Sequence, residues 1–543
     1  MKRFKLFLAM AALACAIGLT VKYGSTYRPV VEPVREIEEI WALEDAREES
    51  GKPLVTRLFC NGVPMAYDAE NNVFYGSLGL ENGAQWPEIK LTASEETAKG
   101  LSLCFADDYG FDDCDAAIRE GYSYQIFAYT DTAYSYAEVV FTGLPLVNVT
   151  ADQTIEREDV PAQIEIALAA EGLQTNGRIH KRGGASILND KVGYKLEFTR
   201  TTDGKKKIYR EIPGMGTDSQ VILLPMNALD TTMMRDRLSW ALYARLTRRD
   251  EPFSARKTQY CELFLNGEYR GVYLMLEPFS VRQEVAKAGE ERLTTDSVYR
   301  TAVISLSHGR PCMEDPYSAA TGFELYYPMD GEPDFSSLAD YFALLGETDD
   351  AAFMRRAAQI IDLDSALRYD VVLQLFGLTD NVINNMYTWA QNSRGHTRYR
   401  FDFWDLDVSW GLKRDEIGEM HENWVFFPLV DRLLRADEEG GVRKRYGEIY
   451  REVREKAFDT ETVEALVGQY AHELNDSGAM ARNADRWETE NYAADGYELV
   501  AFAAERIALL DEPVRAMSAG EEIDLRFLEK TNYDDKGTPL TEE

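Results

Sequence analysis

The sequence predicts an α+β protein: a small all-β, sandwich-like domain precedes a larger two-lobed domain that ends in a helical tail. Three observations carry this. Short apolar runs separated by turn residues fill 54–146. A second strand-rich stretch with one amphipathic helix occupies 147–276. From 338 onward the apolar spacing becomes mostly helical.

The elements follow in chain order. Lys2, Arg3 and Lys5 precede an uncharged run at 6–21. As a helix rising about 1.5 Å per residue the run would span ~24 Å, short for a bilayer. Residues 1–27 therefore read as a secretory signal peptide or an uncleaved signal anchor, and the rest of the chain as extracytoplasmic. Residues 28–50 form a charged linker with a short helical pattern around Ile40. In 51–146, runs such as NVFYGSLGL, YSYQIFAYT and YAEVVFTGL predict a small antiparallel β domain packed as a sandwich. Asp107, Asp108, Asp112 and Asp113 form a solvated loop or bind calcium. Cys104 and Cys114 bracket that loop and are either a disulfide of an oxidising exterior or two buried thiols.

In 231–246, Met234, Leu238, Leu242 and Leu246 recur at four-residue intervals, which predicts a helix. Further helix-period stripes cover 353–361, 365–376 and 428–434, with a strand at 401–404 between them. The stretch 444–517 is nearly all helical, and 518–543 is a polar end.

Bulk properties exclude several classes. With 543 residues the chain holds two or three domains. A formal net charge of −34 repels phosphate, so nucleic acid is excluded as a partner and membrane contact is expected only through the N-terminal segment. The five histidines are scattered and no Cys-x-x-Cys occurs, which argues against a zinc site or a Ser-His-Asp triad.

Chemistry-bearing residues concentrate in 378–411. Asp380 and Asn385 are followed by Asp405 and Asp407, flanked by Trp404 and Trp410. Burying such groups costs free energy unless they meet one another, a metal or a substrate. Asp and Asn also cap helices and close turns. An Asp, an Asn five positions on and a later Asp on a strand follow the order of a protein kinase's catalytic Asp and its two metal ligands.

Other segments extend the pattern. Arg182-Gly183-Gly184-Ala185-Ser186 leads to Lys191 and then Tyr194-Lys195. Asp230 precedes Met234-Arg235-Asp236 and Leu238. Asn266-Gly267-Glu268-Tyr269, Gly271 and Tyr273 form a hairpin pattern, and Asp485-Arg486-Trp487 and Glu505-Arg506-Ile507 lie in the tail. In this order the motifs resemble the kinase-like family named after spore coat protein H (CotH), over roughly 147–512 of a domain bounded at 147–517.

The resemblance implies an atypical protein-kinase-like fold, ATP as cofactor with Mg²⁺ or Mn²⁺, and Ser or Thr hydroxyls of proteins as acceptors. Asp380 is the candidate catalytic base, orienting the acceptor hydroxyl. Asn385 and Asp405 are candidate metal ligands, and Asp407 is a second ligand or a group that orients the first. Lys191 and Lys195 are candidates for the phosphate cation, expected by strand alternation to look into one cleft. Arg182 and the two glycines after it would let backbone N–H groups approach phosphate. Glu277 is the lysine's partner or sits near the adenine. Two departures stand out: Gly184-Ala185 replaces the family's Asn-Ser, and Asp236 is the only carboxylate of the 231–246 helix.

Three functions fit this reading. The first is an extracytoplasmic protein kinase. The second is a non-catalytic surface scaffold that keeps the fold. The third is a carbohydrate-active enzyme, which would need two carboxylates at a fixed separation.

Overall fold

A computed structural model of the protein describes residues 30–32, 35–80, 83, 89–94, 100–106, 113–183, 185–201, 204–226, 230–301, 322–328, 334–412, 424–425 and 427–521. The expectations for residues 1–27, for Asp107, Asp108, Asp112 and Gly184, and for the end beyond 521 lie outside these. Among the described residues no helix is long and apolar enough to cross a membrane.

Residues 30–142 form two sheets. The larger orders Val31–Glu32, Ser102–Phe105, Ser123–Tyr129, Ala133–Thr142, Val73–Ser77 and Ala66–Asp68. The smaller joins Val63–Pro64, Leu58–Cys60 and Leu91–Ala93. Alternation sends Tyr124, Ile126 and Ala128 into a core shared with Leu58 and Leu91 of the smaller sheet. The pairing is not antiparallel throughout, as the sequence suggested. Ala133–Thr142 runs parallel to Val73–Ser77, because the long segment between them makes a crossover. Alternation also rules out the Cys104–Cys114 disulfide. Cys104 faces Ile40 and Phe127 on one side of the sheet, Cys114 faces the core on the other, and no disulfide joins them.

The next strands are β1 (Leu146–Thr150), β2 (Val160–Leu168), β3 (Glu171–Arg182), β4 (Gly193–Thr199), β5 (Gln220–Leu224), β6 (Thr258–Leu265) and β7 (Glu268–Leu276). They close into a barrel in the order β1-β2-β3-β4-β5-β7-β6. A parallel pairing of β1 with β6 makes the closure. Ile164, Ile166, Leu196, Phe198, Leu263 and Tyr273 fill the interior. Helix α1 (Arg235–Tyr243) lies between β5 and β6 in the chain and is buried on nearly every side. It starts four residues later than its apolar spacing suggested. The Asp230 carboxylate accepts the Thr232 N–H (3.2 Å), the Thr232 hydroxyl (2.6 Å) and the Arg235 N–H (3.2 Å), holding a turn where the first helical turn was expected.

Beyond the barrel, β8 (Ser297–Thr301), β9 (Phe323–Tyr327), β10 (Met386–Ser393) and β11 (His396–Phe403) form a sheet ordered β9-β8-β10-β11. Helix α2 (Leu363–Phe376) begins at the Asp362 cap and ends at Gly377, whose φ of 66° is left-handed. The one-turn helix α3 (Asp380–Ile383) follows. The tail carries α4 (Thr460–Asp476), α5 (Ala479–Trp487) and α6 (Tyr497–Ala519), so the helix extends two residues into the expected polar end. One apolar core joins the outer face of β7, α1, the sheet and these helices.

The tail packs back onto the barrel. Arg237 of α1 pairs with Glu473 of α4 at 2.8 Å and lies 4.3 Å from the ring centres of both Tyr260 and Tyr470. Arg482 of α5 pairs with the fully buried Glu262 of β6 at 2.8 Å. At Gly271, with φ 86°, any Cβ would meet Asn483 Oδ1 at 2.5 Å and Trp487 Nε1 at 2.8 Å, so α5 requires glycine there.

Residues 51–142 also share a core with the barrel. Val63, Ala66, Tyr75 and Val140 pack against Leu146, Ala167, Phe264 and Tyr269.

Candidate functional site

The site forms where α2 runs out. Gly377 turns the chain so that Asp380 opens α3 with only 4% of its surface exposed. Its carboxylate accepts Asn385 Nδ2 at 2.8 Å and Asn384 Nδ2 at 3.1 Å. Asn385 has φ 58° and Asp405 φ 59°, left-handed conformations that Asn and Asp tolerate best among residues with a Cβ. Backbone bonds fix them side by side: the Asn385 N–H donates to Thr301 O (3.2 Å), and the Trp404 N–H to Asn385 O (3.0 Å). Asn381 Nδ2 donates to Trp404 O at 2.8 Å. The β10–β11 hairpin thus returns Asp405 to the residue from which it left.

Around this pair the fold gathers like charges. Asp407 keeps some open surface, yet its carboxyl is enclosed. Burial first, then the charges of Asp405, Asp236 and Asp380, push its pKa well above the carboxylate range. Asp236, projecting from α1, is pushed up to about 8 by burial and then by Asp405, while Arg182 opposes the shift. Asp236 is 4% exposed, and among the described residues its Oδ1 has no hydrogen-bond partner. The sequence showed Asp236 only as the helix's sole carboxylate. Its membership of the site comes from α1 packing against the 405–410 loop, which no local spacing encodes.

The proposed cations separate. Arg182, the last residue of β3, places its guanidinium 5.9 Å from the centre of the Trp404 ring and acts on Asp236. Lys191 and Lys195 do not share one face, and the reason is a strand boundary. β4 begins at Gly193, so Lys191 lies in the preceding loop, outside the alternation. Its ammonium donates to Val272 O (2.6 Å) and Asn483 Oδ1 (3.0 Å), and stands 5.0 Å from the centre of the Tyr273 ring. Burial lowers its pKa to about 7, with Cys261 opposing and Arg270 assisting. Lys195 is on the strand and pairs with Glu197 at 3.1 Å, which Lys207 also contacts at 2.6 Å. Among the described residues no lysine ammonium pairs with Glu277: Arg249 pairs with it, and it accepts the Lys257 backbone N–H at 3.1 Å.

Aromatic rings flank the acidic group. Phe279, just past Glu277, stacks on Tyr387 at 4.9 Å and 9° and lies 5.5 Å from Trp404. Tyr326 meets Tyr387 at 5.5 Å, and both tyrosines feel the charge of Asp405.

The donor set fits a hard divalent cation. Asn385 spends its amide N–H on Asp380, which leaves its carbonyl oxygen, and Asp405 and Asp407 supply carboxylate oxygens. Among the described residues no three His, Cys, Asp or Glu side chains are placed together so that they could hold a metal ion as an all-protein cage or part of one. Magnesium does not require one, since it keeps waters and takes phosphate oxygens as ligands. Such a site suits a cation that arrives with a nucleotide.

Comparison with known proteins places the chain in a family. The family model described as CotH kinase protein matches residues 179–510, and the chain belongs to that family. No curated protein matches the chain.

Proposed function

We propose that this protein is an extracytoplasmic protein kinase that transfers the γ-phosphate of ATP to Ser or Thr hydroxyls of envelope or secreted proteins. The observation that carries the reading is the convergence of the Asp380–Asn385 pair with Asp405, Asp407 and Asp236 beside Arg182. The extracytoplasmic part rests on the basic and apolar pattern of residues 1–27.

Phosphoryl transfer is mostly positioning and charge stabilisation. Asp380, held by two side-chain amides, aims a carboxylate oxygen at the acceptor hydroxyl and takes its proton as the hydroxyl oxygen bonds the γ-phosphorus and the bond from phosphorus to the β,γ-bridging oxygen breaks, ADP leaving with the electron pair. Asn385 and Asp405 would hold Mg²⁺ or Mn²⁺, with Asp407 adjacent; the bound cation neutralises charge on the phosphates. Arg182 meets a phosphate oxygen, and Asp236 orients Arg182.

The test is incubation of the protein with labelled ATP, Mn²⁺ and a generic acceptor protein. Label should transfer, and a folded Asp405→Ala variant should lose roughly 10³-fold or more in rate. Equal transfer by that variant would overturn the metal assignment. No transfer by the wild type would favour a non-catalytic scaffold, the reading that Gly184-Ala185 supports.

A further inference from the structure

We infer that α1 is bolted to the acidic loop through Arg235, Ser239 and Trp410, and that Arg235 is a positioning residue for the carboxylates of Asp236, Asp405 and Asp407. The purpose of the bolt rests on the phosphotransferase reading; its existence is a matter of packing.

Arg235 is 4% exposed. Its Nε donates to Ser409 O at 3.1 Å, and its two terminal nitrogens bond Asp230 and Glu498 of α6. One turn along, Ser239 Oγ accepts Trp410 Nε1 at 2.9 Å, donates to Arg235 O at 2.8 Å and lies 3.4 Å from Ser409 Oγ. Ser409 Oγ donates back to Leu406 O at 2.7 Å. Arg235 and Ser239 therefore bracket Asp236 on the helix and both clasp the chain just past Asp407. At the other end of α1, Tyr243 donates to Asp402 Oδ1 at 2.9 Å, just before Asp405. The loop that carries Asp405 and Asp407 is held to one helix on both sides.

Such a hold opposes two forces. Carboxyl groups crowded in an enclosed space repel one another as they ionise, which would drive the loop outward. The loop's backbone is also strained: Trp410 has φ 53°, an outlier for a bulky residue. Trp410 stays there because its N–H donates to Phe376 O at 2.8 Å and its ring stacks at 5.3 Å on both Phe376 and Phe458. The carboxyl groups of Asp236, Asp405 and Asp407 thus keep their places without a ligand, which is pre-organisation for a metal–nucleotide.

Two mild variants of the full chain test this: Arg235→Lys, which keeps the charge but loses the fork, and Ser239→Ala, which removes the acceptor for Trp410. Hydrogen–deuterium exchange over 404–412 reads the bolt, and the Mn²⁺ midpoint for ATP-dependent turnover reads its purpose. A midpoint does not depend on how much of a sample is folded, so a merely structural role would not move it. Both variants should exchange at least tenfold faster over 404–412 and need at least fivefold more Mn²⁺, with kcat reduced more than the KM for ATP is raised. Exchange unchanged from wild type in both variants overturns the bolt. Faster exchange with an unmoved midpoint overturns the positioning role. Should the wild type transfer no phosphate, the phosphotransferase reading fails, and exchange alone still decides whether the bolt exists.

Discussion

Asp407 shows how one side chain ties stability to function. Its carboxyl holds a proton more tightly in the folded protein than in the unfolded chain, as does that of Asp236, which moves from 3.8 to about 8. Between those values the folded state binds more protons. Stability is then fullest below the unfolded pKa and is lost as pH rises through the folded one. Melting temperature without ligand should therefore fall between about pH 4 and pH 8. Asp407→Asn should flatten that slope and melt about 2–4 °C higher at pH 8, while losing the response to Mn²⁺ with ATP. A steeper slope in the variant would contradict the charge assignment. Asp380→Asn keeps the size of the side chain but loses the charge, and its one remaining oxygen can accept from only one of Asn384 and Asn385 in the present geometry. It should bind ATP nearly as the wild type does while turnover collapses by 10²-fold or more. An equal loss of binding would make Asp380 structural. At this scale Asp380, Asn385, Asp405 and Asp407 were legible because two short segments hold them. Asp236 was not, since a helix far away in the sequence brings it in.

Elements were legible where period and caps agree. Asp362 and Gly377 bound α2, and its stripe read as a helix from sequence. Helix α1 was read too early because four-residue apolar spacing also occurs in a buried turn, and the Asp230 side chain decides which is formed. Strand alternation misled at Lys191 for a similar reason: it applies only once the strand has begun at Gly193. Asp230 and Arg235 form a pair about 95% buried on each side. Asp230→Ala leaves the guanidinium short of a partner and should cost about 3–5 kcal/mol. Urea unfolding measures this, and a loss under 1 kcal/mol would mean that the turn is held by packing alone.

At the scale of the whole molecule, the β-rich N-terminal part was legible as a unit but its attachment was not. Alternating runs announce a core of their own, and they do not say that Tyr75 and Val140 also pack on Phe264 and Tyr269 of the barrel. Truncation to begin at Val147 should therefore expose that patch and give a poorly soluble, lower-melting remainder, even though the candidate catalytic groups all lie beyond it. A soluble remainder that melts with the full chain would show the shared core to be dispensable.

The α5 and α6 contacts likewise bind the tail to barrel and site, so the acidic group is a property of the whole fold. The central claim is that this group takes a divalent cation and ATP together. Its direct measurement is the melting temperature of the full chain with Mn²⁺ alone, with ATP alone and with both. Ligand at a hundredfold excess over its Kd stabilises the native state by about 2.7 kcal/mol. Without the cation the acidic group offers a triphosphate only carboxyl groups beside Arg182, so the account predicts little shift with ATP alone, a modest shift with Mn²⁺ alone, and a shift with both that exceeds their sum. Additive shifts, or none, would contradict it.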